Sequence, residues 1–254
     1  MSDWSTCLLA PNPSAWTLEG TNTWLIAAPH SADVVVVDPG PDTVEHLERI
    51  ALKVSERGVI RQILLTHGHA DHSAGALALS RMTGAPVRAL DPEHVHGGEG
   101  LHAGEVIEFG DLAIDVISTP RHTADSLSFR VNGDSSILTG DTVLGRGTTV
   151  IAWPEGKLAD YLATLDTLAE TISAHGISSI HPGHGPLVAD PAIRIQQYAQ
   201  HRAERLDDVR AALDAGARTA DEVVAIVYAQ TPKNLLGAAR LSVQAQMEYL
   251  NSLG

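Results

Sequence analysis

The chain has 254 residues, 44% of them hydrophobic, and its 17 Lys and Arg against 31 Asp and Glu give a formal net charge of −14. That length holds one large α/β domain or one domain with a small appendage, and so acidic a balance leaves no electrostatic footprint for duplex nucleic acid. Cys7 is the only cysteine, so no intrachain disulfide forms; with no basic-then-apolar leader and no apolar run near the ~18 residues a span needs, the expectation is a cytoplasmic protein outside the membrane.

In chain order, Leu25-Ile26-Ala27 and Val34–Val37 are predicted strands, the second running into the turn Asp38-Pro39-Gly40. Asp42–Arg57 has the apolar spacing of a helix at Val44, Leu47, Ile50, Ala51 and Val54. The apolar run Ile63–Thr66 predicts a buried strand, followed by an Ala/Leu-rich helix from Ser73 to Met82 that ends near Gly84. Residues 86–139 are β-rich, with strands at 87–89, 106–108, 112–117, 127–131 and 137–138 and a hairpin turn at Asn132-Gly133. Leu158–Ile172 is an amphipathic helix and Ile177–Ile180 a short strand. After Pro191 the pattern is helical, and from about residue 200 three helix candidates are separated by Ala215-Gly216 and Thr231-Pro232. The expected division is therefore an α/β domain over 1–199 and a helical module over 200–254, which either caps the core or helps bind substrate.

Thr66–Gly75 reads THGHADHSAG and places His67, His69, Asp71 and His72 within six positions. Imidazoles beside a carboxylate are costly to bury, and a divalent cation that takes nitrogen and oxygen ligands removes the cost. In extended backbone His67 and His69 point the same way, while the adjacent Asp71 and His72 diverge, so one segment serves two neighbouring positions. Three later turns, each rich in Gly or Pro and each after a predicted strand, add candidates: Thr119-Pro120-Arg121-His122-Thr123, Thr139-Gly140-Asp141 and Pro182-Gly183-His184-Gly185. His181 is read as structural, and His94, His96 and His102, in a Gly-rich loop, as solvated.

The ordered set HxHxDH, TPxHT, TGD and PGHG resembles the metallo-β-lactamase superfamily of dinuclear metal hydrolases. The resemblance implies an αβ/βα four-layer sandwich with the site at one edge and a small, winged-helix-like C-terminal appendage. It implies that His67, His69 and His122 bind a first metal, that Asp71, His72 and His184 bind a second, and that Asp141 bridges them; zinc is the expected metal, with Mn or Fe as alternatives. Arg121 stands where many relatives have glycine, and is read as a surface ion pair or a contact to an anionic substrate. Two ions about 3.5–4 Å apart can share a water and lower its pKa from about 15.7 toward 7, giving a bridging hydroxide as nucleophile. Asp71 is the catalytic candidate that orients it and takes its proton.

The chain is similar above all to the mitochondrial β-lactamase-like endoribonuclease subfamily and its bacterial relatives. The likeness extends over Gly20-Thr21-Asn22-Thr23, Gly147-Thr148-Thr149, Gln196-Gln197-Tyr198, His201-Arg202, Thr231-Pro232 and Asn234-Leu235. This implies single-stranded RNA as substrate. A glyoxalase-II-like thioesterase, with Tyr198, Tyr228 and Lys233 as candidate ligand contacts, is the alternative, and a non-catalytic metal-stabilised binding protein the third reading. A monomer or homodimer is expected.

Overall fold

The computed structural model of the chain describes residues 3–120 and 122–253; Arg121 lies outside the described residues. The first half builds one sheet: β1 (Ser5–Leu9), β2 (Asn22–Ile26), β3 (Asp33–Val37), helix α1 (Val44–Ser55), β4 (Val59–Leu64), a single helical turn α2 (Ala70–Ser73), α3 (Ala76–Thr83) and β5 (Val87–Arg88). Its strands lie in chain order, antiparallel for β1–β2–β3 and parallel for β3–β4–β5. The second half builds another from β6 (Val106–Phe109), β7 (Leu112–Ser118), β8 (Leu127–Val131), β9 (Ser136–Gly140), α4 (Leu158–His175) and β10 (Ser179–Pro182). It is antiparallel except for the parallel β9–β10 pair. α5 (Pro191–Asp214), α6 (Ala220–Val227) and α7 (Leu236–Ser252) complete the chain, and α5 runs unbroken across residue 199.

The valine run of β3 shows why the molecule has four layers. A strand buried on both faces reads as continuous apolar sequence. Val35 and Val37 face Ile114, Val116, Leu127 and Phe129 of the second sheet, while Val34 and Val36 face Leu47, Ile50 and Leu79 of α1 and α3. The second sheet repeats the scheme, with Ile137 and Ile180 under Tyr161, Leu165 and Leu168 of α4 and Ile195 and Tyr198 of α5. A fourth cluster joins Val209 and Ala212 of α5 to Val223 of α6 and Val243 of α7. No described helix is long and apolar enough to cross a membrane.

Several local expectations are corrected. β1 was not expected; it is an edge strand of half-buried residues, paired from Ser5↔Ile26 to Leu9↔Asn22, and carries no alternation or turn signal of its own. The helix expected from Ser73 breaks at Gly75. There the backbone presses on Gly40, whose carbonyl accepts the Gly75 N–H at 2.9 Å, and a Cβ would meet the Pro41 carbonyl oxygen at 2.9 Å. The hairpin at Asn132-Gly133 spans Asn132–Ser135, with Ser135 in the left-handed region (φ 49°); Gly133 is required instead because the Trp4 ring occupies the space of its Cβ. β10 is shifted two residues later than expected. Tyr198 is fully buried and its hydroxyl accepts the Leu144 N–H at 2.7 Å, so it contacts the core and not a ligand.

Candidate metal centre

The sequence-predicted ligands all follow the carboxyl ends of strands at one edge of the sandwich: His67, His69, Asp71 and His72 after β4, His122 after β7, Asp141 after β9 and His184 after β10. Three groups of ligand atoms converge, each within 4.8 Å: His67 with His69 and His122, Asp71 with His72 and His184, and His67 with His72 and Asp141. His67 Nε2 and His122 Nε2 lie 3.0 and 3.1 Å from His69 Nδ1. His184 Nε2 lies 3.2 Å from His72 Nε2, 3.1 Å from Asp71 Oδ2 and 3.3 Å from Asp141 Oδ2. Asp141 thus stands between the two histidine sets, with Oδ2 also 3.7 Å from His122.

A layer of acceptors behind the cluster orients the rings, a support the sequence reading missed. Asp38, read there as a turn residue, directly follows β3 with φ 52° and its carboxylate accepts from the Thr66 N–H, the Thr66 hydroxyl and His72 Nδ1 at 2.7–2.9 Å. The Thr66 hydroxyl, having donated to Asp38, accepts from His67 Nδ1, and the Gly20 carbonyl accepts from His184 Nδ1. Such partners fix which nitrogen of a ligating histidine is bare. The available signal was a polar residue directly after a run of four buried valines. Gly183 is needed for closeness: a Cβ there would sit 2.4 Å from Asp141 Oδ1 and 2.7 Å from His72 Cε1.

These residues fit divalent metal. With Nδ1 donating on both, neutral His72 and His184 present bare Nε2 lone pairs 3.2 Å apart, which repel unless a cation lies between them. Asp141 Oδ1 is buried and has no hydrogen-bond partner. Burial alone would lower both imidazoles, but Asp141 with Asp38 holds His72 well above its ordinary value, and Asp141 with Asp71 raises His184 to about 9. Burial likewise opposes ionisation of Asp141, yet His72 and His184 hold it well below the carboxylate range. The acids thus demand positive charge, whereas burial drives His67 well down and His122 to about 4, leaving neutral donors.

His181 is no part of the cluster; it stacks on Trp24 at 4.2 Å, as its structural reading expected. His94, expected in solvent, is half-buried against the backbone of Gly68, where a Cβ would come within 2.5 Å of its Nε2. His96 is half-buried and its backbone bridges to Val87, while His102 is exposed. In front of the cluster opens a cleft of about 650 Å³. His69, Asp71, His122, Asp141 and His184 line it, together with Trp16 and Leu18, the 144–152 loop, and residues of α5 and α7.

Comparison with known proteins agrees with this architecture. A model of the metallo-beta-lactamase superfamily matches residues 16–200, and one of the beta-lactamase associated winged helix domain matches 219–254, a stretch that is helical among the described residues. A beta-lactamase-like protein 2 homolog of Caenorhabditis elegans is 28% identical over 98% of this chain and 85% of its own length. An atrochrysone carboxyl ACP thioesterase of Aspergillus chevalieri is 28% identical over 90% of this chain and 74% of its own. The crystal structure of a metallo-beta-lactamase family protein from Thermus thermophilus superposes with a TM-score of 0.79 at 23% identity, covering 98% of this chain and 94% of that one. Two back-to-back sheets, ligands on the turns that leave their strands, and a matching model over most of the length place the chain in the metallo-beta-lactamase superfamily of metal-dependent hydrolases.

Proposed function

We propose that the chain is a dinuclear zinc hydrolase of acyl thioesters or related esters, with its hydrolase unit over 1–199 and a substrate-covering module over 200–254. The observation that carries this reading is the make-up of the cleft: the candidate ligands line it together with the apolar side chains of Trp16, Leu18, Leu144, Val150, Leu235 and Leu241. That lining suits an acyl chain, the usual pattern of a mostly apolar pocket with few polar anchors. A thioesterase among the relatives points the same way. Single-stranded RNA would need a row of cationic contacts along its backbone, and the cleft offers few in a chain of net charge −14.

His67, His69 and His122 would hold one metal and Asp71, His72 and His184 the other, with Asp141 shared. Bound there, divalent metals lower the pKa of water and polarise a carbonyl. Asp71 is held ionised by His184 and His72 against the opposing effect of burial, and it faces the cleft. It is placed to orient a water by accepting its hydrogen bond and to receive its proton.

The test pairs lactoylglutathione and a series of acyl thioesters with a fluorescent single-stranded RNA, each with an Asp71→Ala control. Thioester turnover that disappears in the control is expected. RNA cleavage abolished by Asp71→Ala, with the thioesters untouched, would replace this reading with the ribonuclease one.

A further inference from the structure

Helix α5 brings a buried cation to the wall of the same cleft. Arg202 is 4% exposed and lines it. Its guanidinium carbon lies 5.3 Å from the centre of the Tyr161 ring, and one terminal nitrogen donates to the Thr149 carbonyl. Its Nε, equally buried, has no hydrogen-bond partner. Among the described residues no carboxylate forms an ion pair with it, although this chain has 31 acids to offer. The other arginines on the same helix are engaged elsewhere: Arg205 with Asp208, Arg210 with Asp207, and Arg194 with the Leu144 and Gly147 carbonyls. Burying a charge without a counter-ion is expensive, and the cost is met when a ligand brings the counter-ion.

The cation is also fixed relative to the ligand cluster. Thr149 gives its carbonyl to Arg202, and its hydroxyl lies 3.0 Å from His122 Nδ1, so a single residue separates guanidinium from metal ligand. We propose that Arg202 is an anion-recognition subsite, which takes a carboxylate or phosphate carried by the thioester while the scissile carbonyl lies at the His/Asp cluster. This deepens the acyl-hydrolase reading and rests on it. A guanidinium recognises either oxyanion through the same N–H edge, so the substrate is an acyl thioester with one anionic arm.

The experiment compares kcat/KM within matched pairs: glutaryl-N-acetylcysteamine against its ω-methyl ester for a carboxylate on the acyl side, and S-acetylpantetheine with and without its 4′-phosphate for an anion on the thiol side. One charged member should be preferred about 10- to 100-fold, through KM. Arg202→Gln should bring that ratio close to one, and Arg202→Lys should retain part of it. Equal use of charged and neutral members by the wild-type enzyme overturns the proposal whether or not the variants fold. So does an Arg202→Gln enzyme that keeps the ratio and loses kcat on both members, since that marks a residue that only holds Thr149 and His122. If no thioester is hydrolysed, the acyl-hydrolase reading fails and the subsite is judged on binding alone. Calorimetric affinity of the metal-loaded protein for glutarate or inorganic phosphate must then fall at least about tenfold in Arg202→Gln, and unchanged affinity for both overturns it.

Discussion

Asp38 leaves β3 with φ 52°, a left-handed conformation that Asp and Asn adopt more readily than most side chains. Its carboxylate joins the backbone and hydroxyl of Thr66 to Nδ1 of His72, so it sets a ring that belongs to two of the three converging groups of candidate ligand atoms. Asp38→Asn keeps the backbone tolerance but turns one acceptor into a donor. Metal affinity should drop about 10- to 100-fold, read by competition with a chromophoric chelator; an unchanged affinity would mean that His72 is oriented without Asp38. His46 makes a second residue-scale case. Arg49 donates to its Nδ1, its Nε2 lies 3.0 Å from the Thr23 hydroxyl, and burial followed by the Arg49 charge pushes its pKa down to about 4. Unfolded His46 takes up a proton near its ordinary value of about 6.5, so acid favours the unfolded chain across the window from 6.5 down to 4. Stability should therefore be full above that window and fall within it. His46→Gln should flatten the fall by roughly 1–2 kcal/mol after allowance for solvent screening, measured as denaturant midpoints at pH 7 and 4.5. An identical slope in the variant would assign the acid sensitivity to other buried histidines such as His181, also held near 4 by burial.

At the scale of elements, what was legible in the sequence follows what each segment buries. β3 and β8 are buried almost throughout and were read within a residue, because apolar content alone marks a strand with two covered faces. β1 was invisible because only one flank pairs, and α2 and α3 merged because the break at Gly75 is dictated by Gly40 and Pro41, more than thirty positions earlier. The seven candidate ligands were legible because each stands in a short motif. Asp38, Thr149 and Arg202 act through long-range hydrogen bonds; Thr149 and Arg202 stand in segments that carry the resemblance, but their partners could not be read from those segments. The cleft wall was illegible for the same reason: α7 brings Ala238, Ala239 and Ser242 into the cleft that the candidate ligands line only through its packing on α4, α5 and α6. Small residues there would leave room for the acyl chain of the proposed substrate. Ala239→Phe should raise KM for long-chain thioesters at least about tenfold and leave acetyl thioesters less affected, with about 1–3 kcal/mol of overpacking cost to stability. Equal effects on both chain lengths would place the acyl group elsewhere.

Across the whole molecule the cluster is a seam between the two sheets. His67, His69, Asp71 and His72 hang from β4 of the first sheet, while His122, Asp141 and His184 hang from β7, β9 and β10 of the second. Metal at these positions would therefore tie together the two halves of the sandwich at one edge, and it would neutralise acids in a chain already at −14. Among the described residues the opposite face of the first sheet and the α5–α6–α7 cluster hold no candidate ligand and are built around apolar cores of their own. Two equivalents of zinc per chain are expected by elemental analysis, and at most one after His184→Ala. A ligand present at a thousand times its dissociation constant stabilises the folded state by about 4 kcal/mol, which for a chain of this size corresponds to a fall in Tm of about 10 °C on chelation. The loss should be local before it is global. Hydrogen exchange should rise first in the turns after β4, β7, β9 and β10, with α1 and the α6–α7 pair protected to near the global transition. A uniform rise across both sheets would mean that the metals stabilise the fold as a whole and not along this seam. An unchanged Tm on full removal would show that the facing imidazoles and carboxylates are satisfied by protons alone.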